Sequence, residues 1–143
     1  MAKINFLTGD RKFTFQQKKS TKTFIELMFK KEKKELLQIT YVFCSDEFLL
    51  KMNNDFLQHD YYTDIITFGL SLKNKPVEAE IYISIDRVKD NAKQLGLLYK
   101  TEMLRVLFHG VLHLCGYKDK TKSEILIMRA KEERYLLLFN KLQ

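Results

Sequence analysis

Apolar and polar positions along this chain repeat with two periods, and the switches between them mark out the elements. Ala79-Glu80-Ile81-Tyr82-Ile83-Ser84-Ile85 alternates residue by residue, the pattern of a strand with one buried face. Leu36 to Cys44 is rich in β-branched and aromatic residues and predicts a second strand. Thr63 to Phe68 predicts a third, and Ile4–Phe6, with Phe13–Phe15 as a candidate extension, an opening one. Only a short turn around Asn74-Lys75-Pro76 separates the strands at 63–68 and 79–85, so they are expected to pair antiparallel.

Helical spacing occurs in five places. Phe24, Leu27 and Met28 recur among lysines from about Ser20 to Lys33, an amphipathic helix. Ser45 can cap a short helix carrying Phe48, Leu49 and Met52, and Asp86 can cap another that ends at Gly96. Thr101 opens a largely apolar helix that stops at Gly116. Thr121-Lys122-Ser123-Glu124 has the form of a capping box for the last helix, with Ile125, Met128, Tyr135 and Leu136 expected on its buried face. These elements predict an α+β fold: a small mixed four-stranded sheet flanked by about five helices, with the helix through His109 and His113 packed on the sheet.

The 143 residues, 45% apolar and 30% charged, suffice for one domain, taken as residues 1–143, with its own core. One proline, five glycines and no internal repeat leave little room for a long linker. The two cysteines, Cys44 and Cys115, form no disulfide framework, so no disulfide-linked partner is expected. The first residues carry no apolar signal-like core, and no apolar run reaches spanning length. A cytoplasmic protein with no membrane partner is the expectation. Charge adds one feature. Residues 1–34 hold ten Lys or Arg against three Asp or Glu, the whole of the formal net charge of +7, because the remainder holds fifteen of each. So local a basic block suits a polyanion, nucleic acid first; a solvated lysine-rich helix face is the plainer explanation.

The candidate chemistry lies in the fourth helix. Two of the three histidines, His109 and His113, stand four residues apart in an apolar run, hence on one helix face. Neutral imidazoles are good ligands for zinc and its neighbours, and Gly116 can turn the chain so that Asp119 returns as a third ligand. Three protein ligands leave a position open, as a catalytic metal requires, and a zinc ion in such a site lowers the pKa of its water to about 7. Two core histidines satisfied by hydrogen bonds are the alternative, and one that explains the spacing and the following carboxylate less well. Gly110 stands where the H-E-x-x-H motif has its glutamate, which argues against a peptidase; a glycine in mid-helix points instead to close backbone approach to a neighbouring element.

His109-Gly110-Val111-Leu112-His113-Leu114-Cys115-Gly116-Tyr117 closely resembles the signature of the YbeY endoribonucleases, H-G-x-L-H-L-x-G-Y-D-H. Upstream, Thr63-Asp64-Ile65-Ile66-Thr67-Phe68 resembles that family's T-D-V-L-S-F strand, with Asn53 where its N-R-E-Y-R segment begins. Both matches stand in the family's order and spacing, and the resemblance covers about residues 40–135. It implies a bacterial, metal-dependent endoribonuclease specific for single-stranded RNA, with one zinc ion as the usual cofactor. It further implies a role in ribosomal RNA maturation at the small-subunit 3′ end and in ribosome quality control. Single-stranded RNA, ribosomal RNA and the small ribosomal subunit are the implied partners.

The chain departs from the family pattern at three places. The third histidine falls at Asp119, a competent ligand whose charge lowers the acidity of a coordinated water, with Lys118 and Lys120 beside it. The arginine before T-D falls at Leu57, which can neither bind phosphate nor assist catalysis; His59 is a nearby candidate substitute, or an ordinary exposed loop histidine. The family's G-D-I falls at Ala79-Glu80-Ile81, where Glu80 keeps an acid of structural role. Asp64 is a further candidate, as a base near the metal or as an anchor for its turn, the second being favoured. Cys115 should face away from the metal, and Tyr61, Tyr62 and Tyr117 are candidates for base stacking or for packing. Two other functions remain open: a metal-dependent hydrolase of another substrate, and a non-catalytic ribosome-assembly factor with a structural metal. A structural site would need a fourth protein ligand, and no candidate stands near the motif.

Overall fold

The computed structural model describes residues 3–143. Among them the chain forms β1 (Ile4–Thr8), α1 (Lys18–Lys31), β2 (Leu36–Cys44), α2 (Asp46–Leu57), β3 (Ile65–Gly69), β4 (Val77–Ser84), α3 (Ile85–Leu95), α4 (Tyr99–Leu114) and α5 (Lys122–Lys141). The strands make one mixed sheet in the order β1-β2-β4-β3, with β1 and β4 parallel to β2 and β3 antiparallel to β4. The fold is the expected α+β arrangement, and the β3–β4 hairpin runs in register from Ile65 opposite Ile83 to Gly69 opposite Ala79.

Pleat alternation decides what the sheet buries. Ile39, Tyr41 and Phe43 of β2 and Ala79, Ile81 and Ile83 of β4 point into the main core, where α4 lies. That helix is buried nearly all round, from Met103 to Leu112, because the sheet covers one side and α1, α3 and α5 cover others. The opposite face of the sheet is covered by α2, through a smaller cluster of Cys44, Leu49 and Ile66. Gly110 sits where α4 meets the sheet. A Cβ there would come within 3.0 Å of Ile65 Cδ1 and 3.2 Å of Ile81 Cδ1, so the close approach expected of this glycine is present.

Several boundaries differ from expectation for local reasons. Phe13–Phe15 is not a strand: Gly9 N–H donates to Phe43 O, Asp10 turns to Ser45, and the chain leaves the sheet. The rings still contribute, Phe13 lying 4.6 Å from Phe43 in an edge cluster with Phe6 and Phe15. Helix α3 is capped by Ser84 rather than Asp86. The Ser84 hydroxyl accepts from Arg87 N–H at 3.0 Å, while Asp86 pairs with Arg11 and accepts from Asp46 N–H. Helix α4 begins at Tyr99, before Thr101, without a side-chain cap. The capping box at Thr121 and Glu124 is formed as expected. Ile125 is 40% exposed, not buried, because the buried stripe of α5 runs through Met128, Glu132, Tyr135, Leu136 and Phe139.

Candidate metal centre

The end of α4 is built to turn sharply. Tyr117 N–H donates to Leu112 O and Gly116 N–H to His113 O, and Gly116 at φ 106° supplies the left-handed residue such an ending favours. The turn brings Asp119 back along the helix. Its Oδ2 lies 3.3 Å from His109 Nε2 and 3.3 Å from His113 Nε2, and one ligand atom from each residue falls within 4.8 Å of the others. Among the described residues no fourth His, Cys, Asp or Glu joins this group.

The other ring nitrogens fix the tautomers. His109 Nδ1 is 2.5 Å from Glu132 Oε2, and His113 Nδ1 is 2.9 Å from the Tyr117 carbonyl oxygen. A carboxylate and a carbonyl only accept, so both Nδ1 atoms donate, and in its neutral form each ring turns an unprotonated Nε2 toward Asp119. Two nitrogen lone pairs and a carboxylate oxygen then converge with no donor among them. Such a set suits a cation held between its members, and it fits zinc or a neighbouring divalent metal.

Glu132 on α5 belongs to a buried charge network. Its Oε1 accepts from Arg105 at 3.1 Å and Arg129 at 3.2 Å, and Arg105 in turn donates to Glu102 at 2.8 Å. Burial pushes the Glu132 carboxyl up, but the hydrogen bond to His109 and the charge of Arg105 outweigh it, leaving the carboxyl below its ordinary range. Glu132 and Glu102 are 1% and 0% exposed, so Arg105 is what makes two buried carboxylates tolerable. Motif reading missed this network. Its one signal is a glutamate four residues from both Met128 and Leu136, in the middle of the buried face of a helix.

The metal-ligand candidates line a cavity of about 730 Å³ whose wall also includes Asn53, Leu57, His59, Tyr61, Asp64 and Lys120. Asp64 stays outside the three-residue group. Its side chain accepts from Asn91 at 3.3 Å and its carbonyl from Ser84 N–H at 2.9 Å, in line with an anchor for the start of β3. Burial raises its pKa, partly offset by Arg105 and His109. His59 stacks on Tyr61, and exposed Leu57 offers the cavity only an apolar surface. Cys115 points into the main core, where burial raises its thiol to about 12. Tyr117 packs inward and donates to Glu32, and Glu80 accepts from Tyr82 on the sheet.

Comparison with known proteins agrees with this geometry. The family description Endoribonuclease YbeY matches residues 3–140. The endoribonuclease YbeY of Cytophaga hutchinsonii is 52% identical over 135 residues, 94% of each chain. That of Porphyromonas gingivalis is 44% identical over 138 residues, 96% of this chain and 91% of the other. Among solved structures, a solution structure of a Thermotoga maritima protein superposes with a TM-score of 0.63 at 26% identity, covering 93% of this chain and 86% of that one. The match runs through the sheet, the α4 turn and the α5 helix that together assemble the His109, His113 and Asp119 group, and the chain belongs to the YbeY endoribonuclease family.

Proposed function

We propose that this protein is a cytoplasmic, metal-dependent endoribonuclease that cuts single-stranded RNA, acting in small-subunit ribosomal RNA 3′ maturation and in ribosome quality control, with residues 1–143 forming one catalytic domain. The observation that carries this reading is the convergence of His109 Nε2, His113 Nε2 and Asp119 Oδ2, with both Nδ1 atoms tied down, on the wall of an open cavity. These three residues hold one zinc ion or a similar divalent metal. A metal there supplies Lewis acidity, which stabilises charge on a phosphate oxygen and makes water more acidic.

The chain's own residues do the remainder. Lys120 on the cavity wall attracts the phosphate, and the lysines of the first 34 residues raise the local concentration of RNA. Glu132 and the Tyr117 carbonyl hold the imidazoles in one tautomer and orientation, so no reorganisation is needed when the charge develops. His59 and Asp64 also line the cavity as candidates for proton transfer, Asp64 serving chiefly as the anchor of its turn. Asp119 in place of a third neutral ligand adds negative charge and makes water in the site less acidic.

A second reading has one observation in its favour: Leu57, where the family pattern that this chain resembles has an arginine, offers the cavity no charge for a phosphate and suits a ribosome-assembly factor with weakened catalysis. Metal content and cleavage of a single-stranded oligoribonucleotide, measured together for the wild type and His113→Ala, separate the two. The enzyme reading expects both to be lost in the variant; metal without cleavage in the wild type supports the assembly factor. A 2′,3′-cyclic phosphate on the product identifies the RNA 2′-hydroxyl as the attacking group.

A further inference from the structure

The loop after α2 holds two aromatic rings stacked on each other and open to solvent. His59 and Tyr61 stack with centroids 5.1 Å apart and planes 20° from parallel, and Tyr61 remains 56% exposed. Both line the same cavity as His109, His113 and Asp119. The loop is held in place. Asn53, only 2% exposed, accepts from His59 N–H through its backbone carbonyl at 3.1 Å and donates its side-chain amide to the Tyr61 carbonyl at 3.0 Å. Gln58 takes the left-handed conformation that starts the loop, and the Tyr61 hydroxyl lies 3.0 Å from His59 Nδ1. One buried asparagine therefore fixes the backbone under both rings, and the rings brace each other.

A stacked, solvent-exposed aromatic pair beside a phosphodiester-cleaving centre has a chemical counterpart in a nucleobase. Every base has a π-face, and stacking on an aromatic ring is tolerant of sequence. Only an unpaired base can offer that face, since in a duplex the neighbouring base pairs cover it. Charge along the loop and at the cavity points the same way. Asp60 lies between the two rings in sequence and disfavours phosphate on the loop, whereas Lys120 lies on the cavity wall beside Asp119. Leu57 adds an exposed apolar surface on the same wall as the rings, suited to a ribose or a base edge.

We propose that the His59–Tyr61 pair is a base-stacking subsite that takes one unpaired nucleobase next to the phosphate at the metal centre, and so sets the preference for single-stranded RNA. This rests on the endoribonuclease reading above. Phosphate lies toward the metal and Lys120, and the base lies on the ring pair.

The test uses the metal-loaded full chain and a single-stranded oligoribonucleotide in which one abasic residue is moved along the sequence. In the wild type, one position beside the cleaved bond is expected to lower kcat/KM by about 5- to 100-fold, with the loss mostly in KM. Tyr61→Ala should cause a loss of similar size on the intact oligonucleotide, and the abasic residue should then add nothing. Tyr61→Phe, which keeps the ring, should retain most of the wild-type efficiency. Equal sensitivity at every position, or an abasic penalty that persists in Tyr61→Ala, overturns the subsite. A 2-aminopurine moved along the same oligonucleotide, quenched at one position on binding to the wild type but not to Tyr61→Ala, reports stacking without cleavage. If the wild type cuts no RNA, the endoribonuclease reading fails, and this quenching still decides for or against the platform.

Discussion

Glu132 is the residue on which the geometry of the candidate metal centre most depends beyond its three ligands. Its carboxylate fixes which nitrogen of His109 carries the proton, and Arg105 holds that carboxylate ionised in a buried place. Glu132→Gln keeps the shape but removes the charge, and its amide can present a donor where His109 needs an acceptor. Metal affinity is expected to fall by about 10- to 100-fold, the usual effect of losing such a partner. A competition titration against a chromogenic chelator measures it, with circular dichroism showing that the fold is kept; unchanged affinity would rule out the orienting role. The ligand candidates themselves were legible because their relation is local: a four-residue spacing, a glycine and a carboxylate lie within eleven residues. Glu132 was not, because it reaches His109 through the packing of α5 on α4, across 23 positions of sequence.

At the scale of elements, the seating of α4 on the β3–β4 hairpin places the histidines at the cavity. Gly110 sets how closely the helix approaches. Gly110→Ala gains about 1 kcal/mol of helix propensity, but its methyl group meets Ile65 Cδ1 and Ile81 Cδ1 at 3.0 and 3.2 Å, and overpacking of this kind costs about 1–3 kcal/mol. Ile81 is fully buried, and Ile65 is partly buried against the same core. A net destabilisation of about 1 kcal/mol is expected from urea unfolding. Removing the obstructing methyl with Ile81→Val should cost less in the Gly110→Ala background than in the wild type, because the two changes share one space. Additive losses would place the strain elsewhere. Period and turn chemistry made the sheet, the hairpin and the five helices readable. Sequence reading erred at boundaries where a distant partner decides: Asp86 resembles a cap but is taken by Arg11 and Asp46, which leaves Ser84 to cap α3. Ile125 failed as a core residue because the packing of α5 puts Glu132, a polar residue, into the buried stripe instead.

For the molecule as a whole, composition directs attention to the lysines of the first quarter, yet an acidic residue among them, Glu32, has a structural role. Glu32 stands between Lys31 and Lys33 and reads as part of a solvated run. In the fold it joins three elements. It lies at the end of α1, accepts from Tyr117 of the α4–α5 turn at 2.8 Å and from Lys131 of α5 at 3.0 Å, and also accepts from Tyr135. Tyr117 is also the residue whose carbonyl orients His113, so the clamp ties the basic helix to the candidate metal centre. Burial raises the Glu32 carboxyl, but the bonds from Tyr135, Lys131 and Tyr117 outweigh it, and its pKa lies below the ordinary 4.5. A carboxyl depressed by folding stabilises the native state fully above its unfolded value, and that stabilisation is lost as the pH falls through the lower, folded value. Glu32→Gln keeps an acceptor but no charge, and a hydrogen bond to a charged group contributes about 1 kcal/mol more than one between neutral groups. Urea unfolding of the wild type and the variant should therefore differ by about that amount at neutral pH, and the two curves should draw together as the pH falls below 4.5. A gap of constant size across that range would mean that Glu32 acts through packing alone and that its ionised form does not hold α1 to the turn.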